Sequence, residues 1–182
     1  YWQGSPIGDE VVVDRTALTH FLNTPVMCTA PKGIFYLVWV RWPRGEANRM
    51  NLYFAVSSDY GISWSAPTRI NTSGVSYRID FGPPSLRCDD QGGVYVGWTG
   101  RVDDARPRDI YFNRSTDYGA TWLPQDIQVT DSVDYGALLF ANYPSLALGR
   151  DGLVYMAWTD YAHDHGPTHV YFNRSTDHGE TW

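Results

Sequence analysis

Ser115-Thr116-Asp117-Tyr118-Gly119-Ala120-Thr121-Trp122 stands near the middle of a 182-residue chain and has two counterparts. The earlier is Ser57-Ser58-Asp59-Tyr60-Gly61-Ile62-Ser63-Trp64, the later Ser175-Thr176-Asp177-His178-Gly179-Glu180-Thr181-Trp182. The shared pattern, Ser-x-Asp-x-Gly-x-Ser/Thr-Trp, has a chemistry of its own. A short Asp in a turn accepts from backbone N–H groups that would otherwise lack partners. Glycine supplies a positive φ at little cost. The hydroxyl ties the loop ends, and Trp offers a large apolar plug to whatever lies beneath. The octamer reads as a self-bonded hairpin loop. Asp59, Asp117 and Asp177 are its structural acceptors, Gly61, Gly119 and Gly179 its turn formers, and Trp64, Trp122 and Trp182 its anchors.

Trp64, Trp122 and Trp182 are spaced by 58 and 60 residues, and Tyr1-Trp2 matches the end of one more copy. A fixed period of this kind is the mark of a repeat architecture. It divides the chain into units of approximately 2–64, 65–122 and 123–182. After each anchor comes a short outer strand: Val11-Val12-Val13, Thr68-Arg69-Ile70, Asp126-Ile127-Gln128-Val129. A loop then ends in Pro25, Pro84 or Pro144, which opens an innermost strand. Turns such as Gly92-Gly93 and Asp151-Gly152 signal a hairpin into an apolar strand ending in Trp39, Trp98 or Trp158. A polar loop leads to a third strand around Leu52–Phe54, Ile110–Phe112 or Val170–Phe172. No segment sustains a helical period.

The repeated octamer resembles the Asp box of the sialidase-like (BNR-repeat) β-propellers. The resemblance covers essentially all of residues 1–182 and implies an all-β propeller of four-stranded antiparallel blades. Three blades are expected here, about half of the six-bladed ring usual in that family. An open ring leaves edges exposed, so the remaining blades are expected from further sequence, another copy or another chain.

The composition is consistent with a folded domain: 43% hydrophobic, 15% aromatic, with 17 Gly and 11 Pro for turns. A formal charge of −6 and no basic stripe argue against nucleic-acid binding. No apolar run reaches the length of a membrane span. The chain opens at Tyr1 without an initiator Met, so its ends are taken as cut points and missing targeting signals carry no information. Cys28 and Cys88 follow the strand-opening prolines of neighbouring units. They are expected to be buried free thiols, with a disulfide as the alternative.

Function in this architecture lives in loops on a rigid scaffold. The loops between second and third strands vary most: Arg41 to Arg49, Arg101 to Arg108, Asp160 to His165. Three residues past each strand Trp stand Trp42, Arg101 and Tyr161, which are the candidate ligand-binding residues. Trp42 is the only one of eight tryptophans outside the repeat pattern and suits stacking on a sugar ring. A sialidase-like enzyme would grip a carboxylate with arginines, attack with a Tyr and use an Asp as acid/base. The family's Arg-Ile-Pro motif is not matched. Asn23, Gly82 and Asn142 occupy the aligned positions, and Tyr77-Arg78-Ile79-Asp80 only approaches it. The remaining catalytic candidates are Arg78, Asp103, Asp104 and Tyr161, with Tyr135 as another phenol. His163-Asp164-His165 lacks a third ligand, so no metal and no cofactor are expected. Asn71, Asn113 and Asn173 match the glycosylation pattern, the last two through the repeat itself.

The first functional reading is therefore a segment of an extracellular or cell-surface protein recognising a glycan or a protein through this loop face. The alternatives are part of an active exo-α-sialidase or related glycoside hydrolase, and a purely architectural module.

Overall fold

The computed structural model describes residues 10–16, 19–46, 49–72, 82–101, 108–130, 139–162 and 168–182, with Leu139, Phe140, Tyr161 and Ala162 described by their backbone alone. Eleven strands are found among them: β1 (His20–Ala30), β2 (Ile34–Pro43), β3 (Asn51–Ser57), β4 (Thr68–Arg69), β5 (Ser85–Cys88), β6 (Val94–Gly100), β7 (Asp109–Ser115), β8 (Ile127–Gln128), β9 (Leu139–Leu148), β10 (Val154–Ala162) and β11 (Val170–Ser175). They form three antiparallel sheets in the orders β1-β2-β3-β4, β5-β6-β7-β8 and β9-β10-β11. The fold is an all-β propeller, and among the described residues no helix is long and apolar enough to cross a membrane. Each four-stranded sheet straddles two sequence units. Thr68–Arg69 follows the first box yet pairs back onto Tyr53 and Phe54.

The cores lie between sheets. Tyr36, Val38, Leu52 and Phe54 of the first sheet meet Leu86, Val96 and Trp98 of the second. Tyr95, Ile110 and Phe112 of the second meet Leu146, Met156 and Trp158 of the third. A residue's burial therefore depends on a neighbouring sheet as well as on its own strand. Met27, Leu86 and Leu146 hold equivalent register positions, opposite Leu37, Val96 and Met156. Leu86 and Leu146 are 3% and 1% exposed, while Met27, with no sheet against it among the described residues, is 58% exposed.

Three expectations are corrected. Val11-Val12-Val13 forms no strand, because an outer strand pairs with the third strand preceding it and no described residue offers one. In the first and third sheets the innermost strand begins well before its proline. Pro25 and Pro144 sit at bulges where the register shifts, since a residue without an N–H cannot fill a ladder position in mid-strand. Thr24 and Tyr143, just before them, take up the irregularity with φ of 50° and 56°. Finally, Cys28 and Cys88 are joined in a disulfide, Cα atoms 6.2 Å apart across a separation of 60 residues. Innermost strands of successive sheets run side by side around the axis, which brings the two thiols together.

Candidate functional site

The boxes define one face. In each, the Ser hydroxyl donates to the Asp carboxylate while accepting from the Gly N–H, as at Ser115, Asp117 and Gly119. The Asp also accepts from the N–H and hydroxyl of the following Ser or Thr, as at Thr121. Gly61, Gly119 and Gly179 have φ of 87°, 86° and 90°. The residue before each glycine donates its N–H to an inner-hairpin turn: Tyr60 to Gly33, Tyr118 to Gly92, His178 to Gly152. Boxes and inner turns thus share a rim. Hydrogen bonds led by the Ser63 hydroxyl hold the Asp59 carboxyl down at about 2. Bonds led by the Thr121 hydroxyl hold Asp117 at about 2, and those led by Ser175 depress Asp177 further. All three carboxylates are engaged within their own loops.

On the opposite face lie the ends of β2, β6 and β10 and the starts of β3, β7 and β11. On the first sheet Trp42 lies across from Phe21, ring centroids 5.4 Å apart, and Arg44 sits 4.7 Å over the other ring of that pair, Phe21. Trp42 is half-buried against the core between the first two sheets, so Phe21 and Leu22, each 43% exposed, present more open apolar surface. Beside them Asp14 accepts from Trp39 Nε1 at 3.0 Å and stands 3.8 Å from Arg41, whose guanidinium lies 5.0 Å over Tyr53. On the second sheet Arg101 is buried, with 8% of its surface exposed. The Asp109 carboxylate nearby accepts from the Thr130 hydroxyl at 2.7 Å. On the third, the Tyr161 backbone pairs with Phe140. Asp160, buried, accepts from the His169 N–H at 2.6 Å, and its second oxygen is 3.6 Å from His169 Nδ1.

Arg78, Asp103, Asp104, Tyr135 and His163-Asp164-His165 lie outside the described residues. Among the described residues no cluster of three or more His, Cys, Asp and Glu side chains is placed to hold a metal ion. Two of the glycosylation-pattern asparagines are buried. Asn71 accepts from Leu52 N–H, and Asn113 donates to Asp126 and to the Ile70 and Leu123 carbonyls.

Asp14 and Phe21 had no sequence signal, since each matters through a partner on another strand. Asp160 had one that was available. It stands two residues past the strand Trp, in the column where the other units carry Arg41 and Gly100, and that column diverges as sharply as the one beside it.

Sheets fanned so that their cores lie between neighbours, each fastened at one rim by an Asp-box loop, define a propeller of the Asp-box class. The sequence matches the BNR repeat-like domain over residues 7–182, and the chain belongs to that family. No curated protein matches it. Among solved structures, a Hadza microbial sialidase superposes with a TM-score of 0.65 at 20% identity, over 91% of this chain and 37% of that one. A Penicillium chrysogenum α-L-arabinanase complexed with arabinobiose gives 0.62 at 15%, over 87% and 47%. An ulvan lyase of polysaccharide lyase family 25 gives 0.62 at 14%, over 87% and 42%. The chain thus spans less than half the length of each, and at these identities the likeness is one of fold.

Proposed function

We propose that the chain is the part of a glycan-recognising propeller, extracellular or cell-surface, that binds through the face opposite the boxes, where the Trp42, Arg101 and Tyr161 column stands with Arg101 buried beneath the surface. The observation that carries this reading is a contrast between columns of the repeat. Residues that build sheets and boxes recur, whereas the second and third positions past each strand Trp read Arg41-Trp42, Gly100-Arg101 and Asp160-Tyr161. An asymmetric ligand requires such divergence on an otherwise repeating scaffold. The carbohydrate-active names of the similar folds and the inter-sheet disulfide, a bond that persists in oxidising compartments, support it further.

The ring is completed by further blades, from more of the same polypeptide, another copy or another chain. Their docking surface is the exposed face of the third sheet, where Val170 and Phe172 are 79% and 63% exposed.

The second reading is hydrolysis of a sialoside or related glycoside, with Arg78 gripping a carboxylate and Asp103, Asp104 and Tyr161 as candidates for acid/base and nucleophile. One experiment separates the two. The full-length protein is tested on a glycan array and against a fluorogenic sialoside. The recognition reading expects an array signal weakened by Trp42→Ala and no turnover. Turnover abolished by Arg78→Ala would replace it with the enzyme, and silence in both assays would leave the architectural role.

A further inference from the structure

Where the innermost strands of the three sheets face one another there is a groove of about 440 Å³, whose walls include Met27, Pro84, Ser85, Arg87, Tyr143 and Pro144. We propose that Tyr143 is the sugar-stacking platform of this groove, a binding subsite that takes one ring of a saccharide entering from the variable face. The proposal rests on the glycan reading above and adds a residue and a place to it.

Two backbone irregularities hold this ring in position. Tyr143 has φ of 56°, a conformation uncommon for a bulky side chain, and such residues persist only where the surroundings enforce them. The enforcement is visible on both sides. Pro144 follows at the bulge of β9. Across the groove Gly82, itself at φ 105°, lies directly under the ring, and a Cβ there would come within 2.6 Å of Tyr143 Cδ1. The second sheet thus omits a side chain where the third sheet's aromatic ring needs to lie. Tyr143 nevertheless remains 58% exposed, so the fixed ring is not simply buried by the contact. The equivalent residues before the strand proline are Thr24 and Pro83, so at this position the third sheet alone carries an aromatic ring.

The remaining walls suit the same occupant. Ser85 brings a hydroxyl. Arg87 spends one N–H on the Leu86 carbonyl at 2.7 Å and has further donors on its fork. A sugar ring has an apolar C–H face and a hydroxyl-bearing edge. An apolar aromatic plane beside a few polar groups is the lining expected of a small-ligand site.

The test uses the full-length protein titrated with arabinobiose, 3′-sialyllactose and a glucuronate–rhamnose disaccharide, followed by calorimetry and saturation-transfer NMR of the sugar protons. Tyr143→Asn removes the ring while keeping a residue that tolerates positive φ. Tyr143→Phe keeps the ring and removes the hydroxyl. The expectation is that whichever sugar binds loses about tenfold or more in affinity in Tyr143→Asn, the scale of an anchoring aromatic contact. Tyr143→Phe should stay close to wild type, and transfer should be strongest to the C–H protons of one ring. Unchanged affinity in Tyr143→Asn, with the wild type binding, would overturn the platform and leave the glycan reading intact. No binding of any of the three by the wild type would count against both.

Discussion

Trp122, which closes the box of the second sheet, packs edge-on against Phe54 of the first, with ring centroids 5.1 Å apart and planes at 72°. Trp182 repeats the contact on Phe112 at 5.2 Å and 68°. The octamer is therefore a fastener between sheets as well as a loop within one. Its glycine serves both purposes, since a Cβ on Gly119 would run into the Phe54 ring.

Phe54 and Phe112 are 2% and 0% exposed, so truncation of either should cost about 3–5 kcal/mol, and truncation of the half-buried Trp above it less. A double-mutant cycle of Trp122→Ala with Phe54→Ala, read by denaturant unfolding, should show strong coupling because both substitutions empty one contact. Gly119→Ala should destabilise by more than about 1 kcal/mol, from positive φ and collision together. Additive effects in the cycle would separate box from sheet packing.

Phe172 occupies the same register position on the third sheet and is 63% exposed. If a further blade covers it in the intact protein, Phe172→Ser there should cost as much as Phe112→Ser. In the 182-residue chain alone the same change should fall within about 0.5 kcal/mol, as surface substitutions do. A small effect in both settings would leave this face without a covering blade.

The Cys28–Cys88 bond closes a span of 60 residues, and the chain-entropy treatment gives about 4 kcal/mol for a loop of that size. Cys28→Ser with Cys88→Ser should lower the melting temperature, and reductant should do the same to the wild type while leaving the double variant unmoved. Mass measurement of alkylated, unreduced protein checks the pairing directly. Two alkylated thiols would refute it.

Acid should loosen the boxes in a defined window. Asp59 and Asp117 are held at about 2 in the folded chain, below the value near 4 of an unfolded Asp. The unfolded state therefore takes up protons first, and the stability these carboxylates contribute is complete above about pH 4 and is lost as pH falls toward about 2. Asp117→Asn should be less stable at neutral pH and show a shallower decline across that window. Melting curves between pH 5 and pH 2 provide the measurement, and parallel curves for the two proteins would contradict the linkage.

Much of the fold was legible because the signals are local. An octamer that satisfies its own hydrogen bonds, Gly-rich inner turns and apolar strands carrying Trp39, Trp98 and Trp158 each act over a few residues, and periodic recurrence fixes their order. The site was legible only in outline. Divergence past the strand Trp singled out the variable connections, but it could not show that Trp42 would be half-buried against the inter-sheet core or that Arg101 would be buried. Val11 to Val13 carried the propensity of a strand and formed none, because a strand also needs a neighbour.

The sequence by itself determined the repeat, the antiparallel sheets and the rim on which the boxes sit, since turn chemistry and alternation operate along the chain. Only the tertiary structure decided that Cys28 faces Cys88, that Phe54 and Phe112 lie beneath the next sheet's Trp, and that Tyr143 leans onto Gly82. Each of these pairs joins different sheets. Contacts between sheets depend on how the sheets stack about the axis, and no stretch of a few residues encodes that stacking.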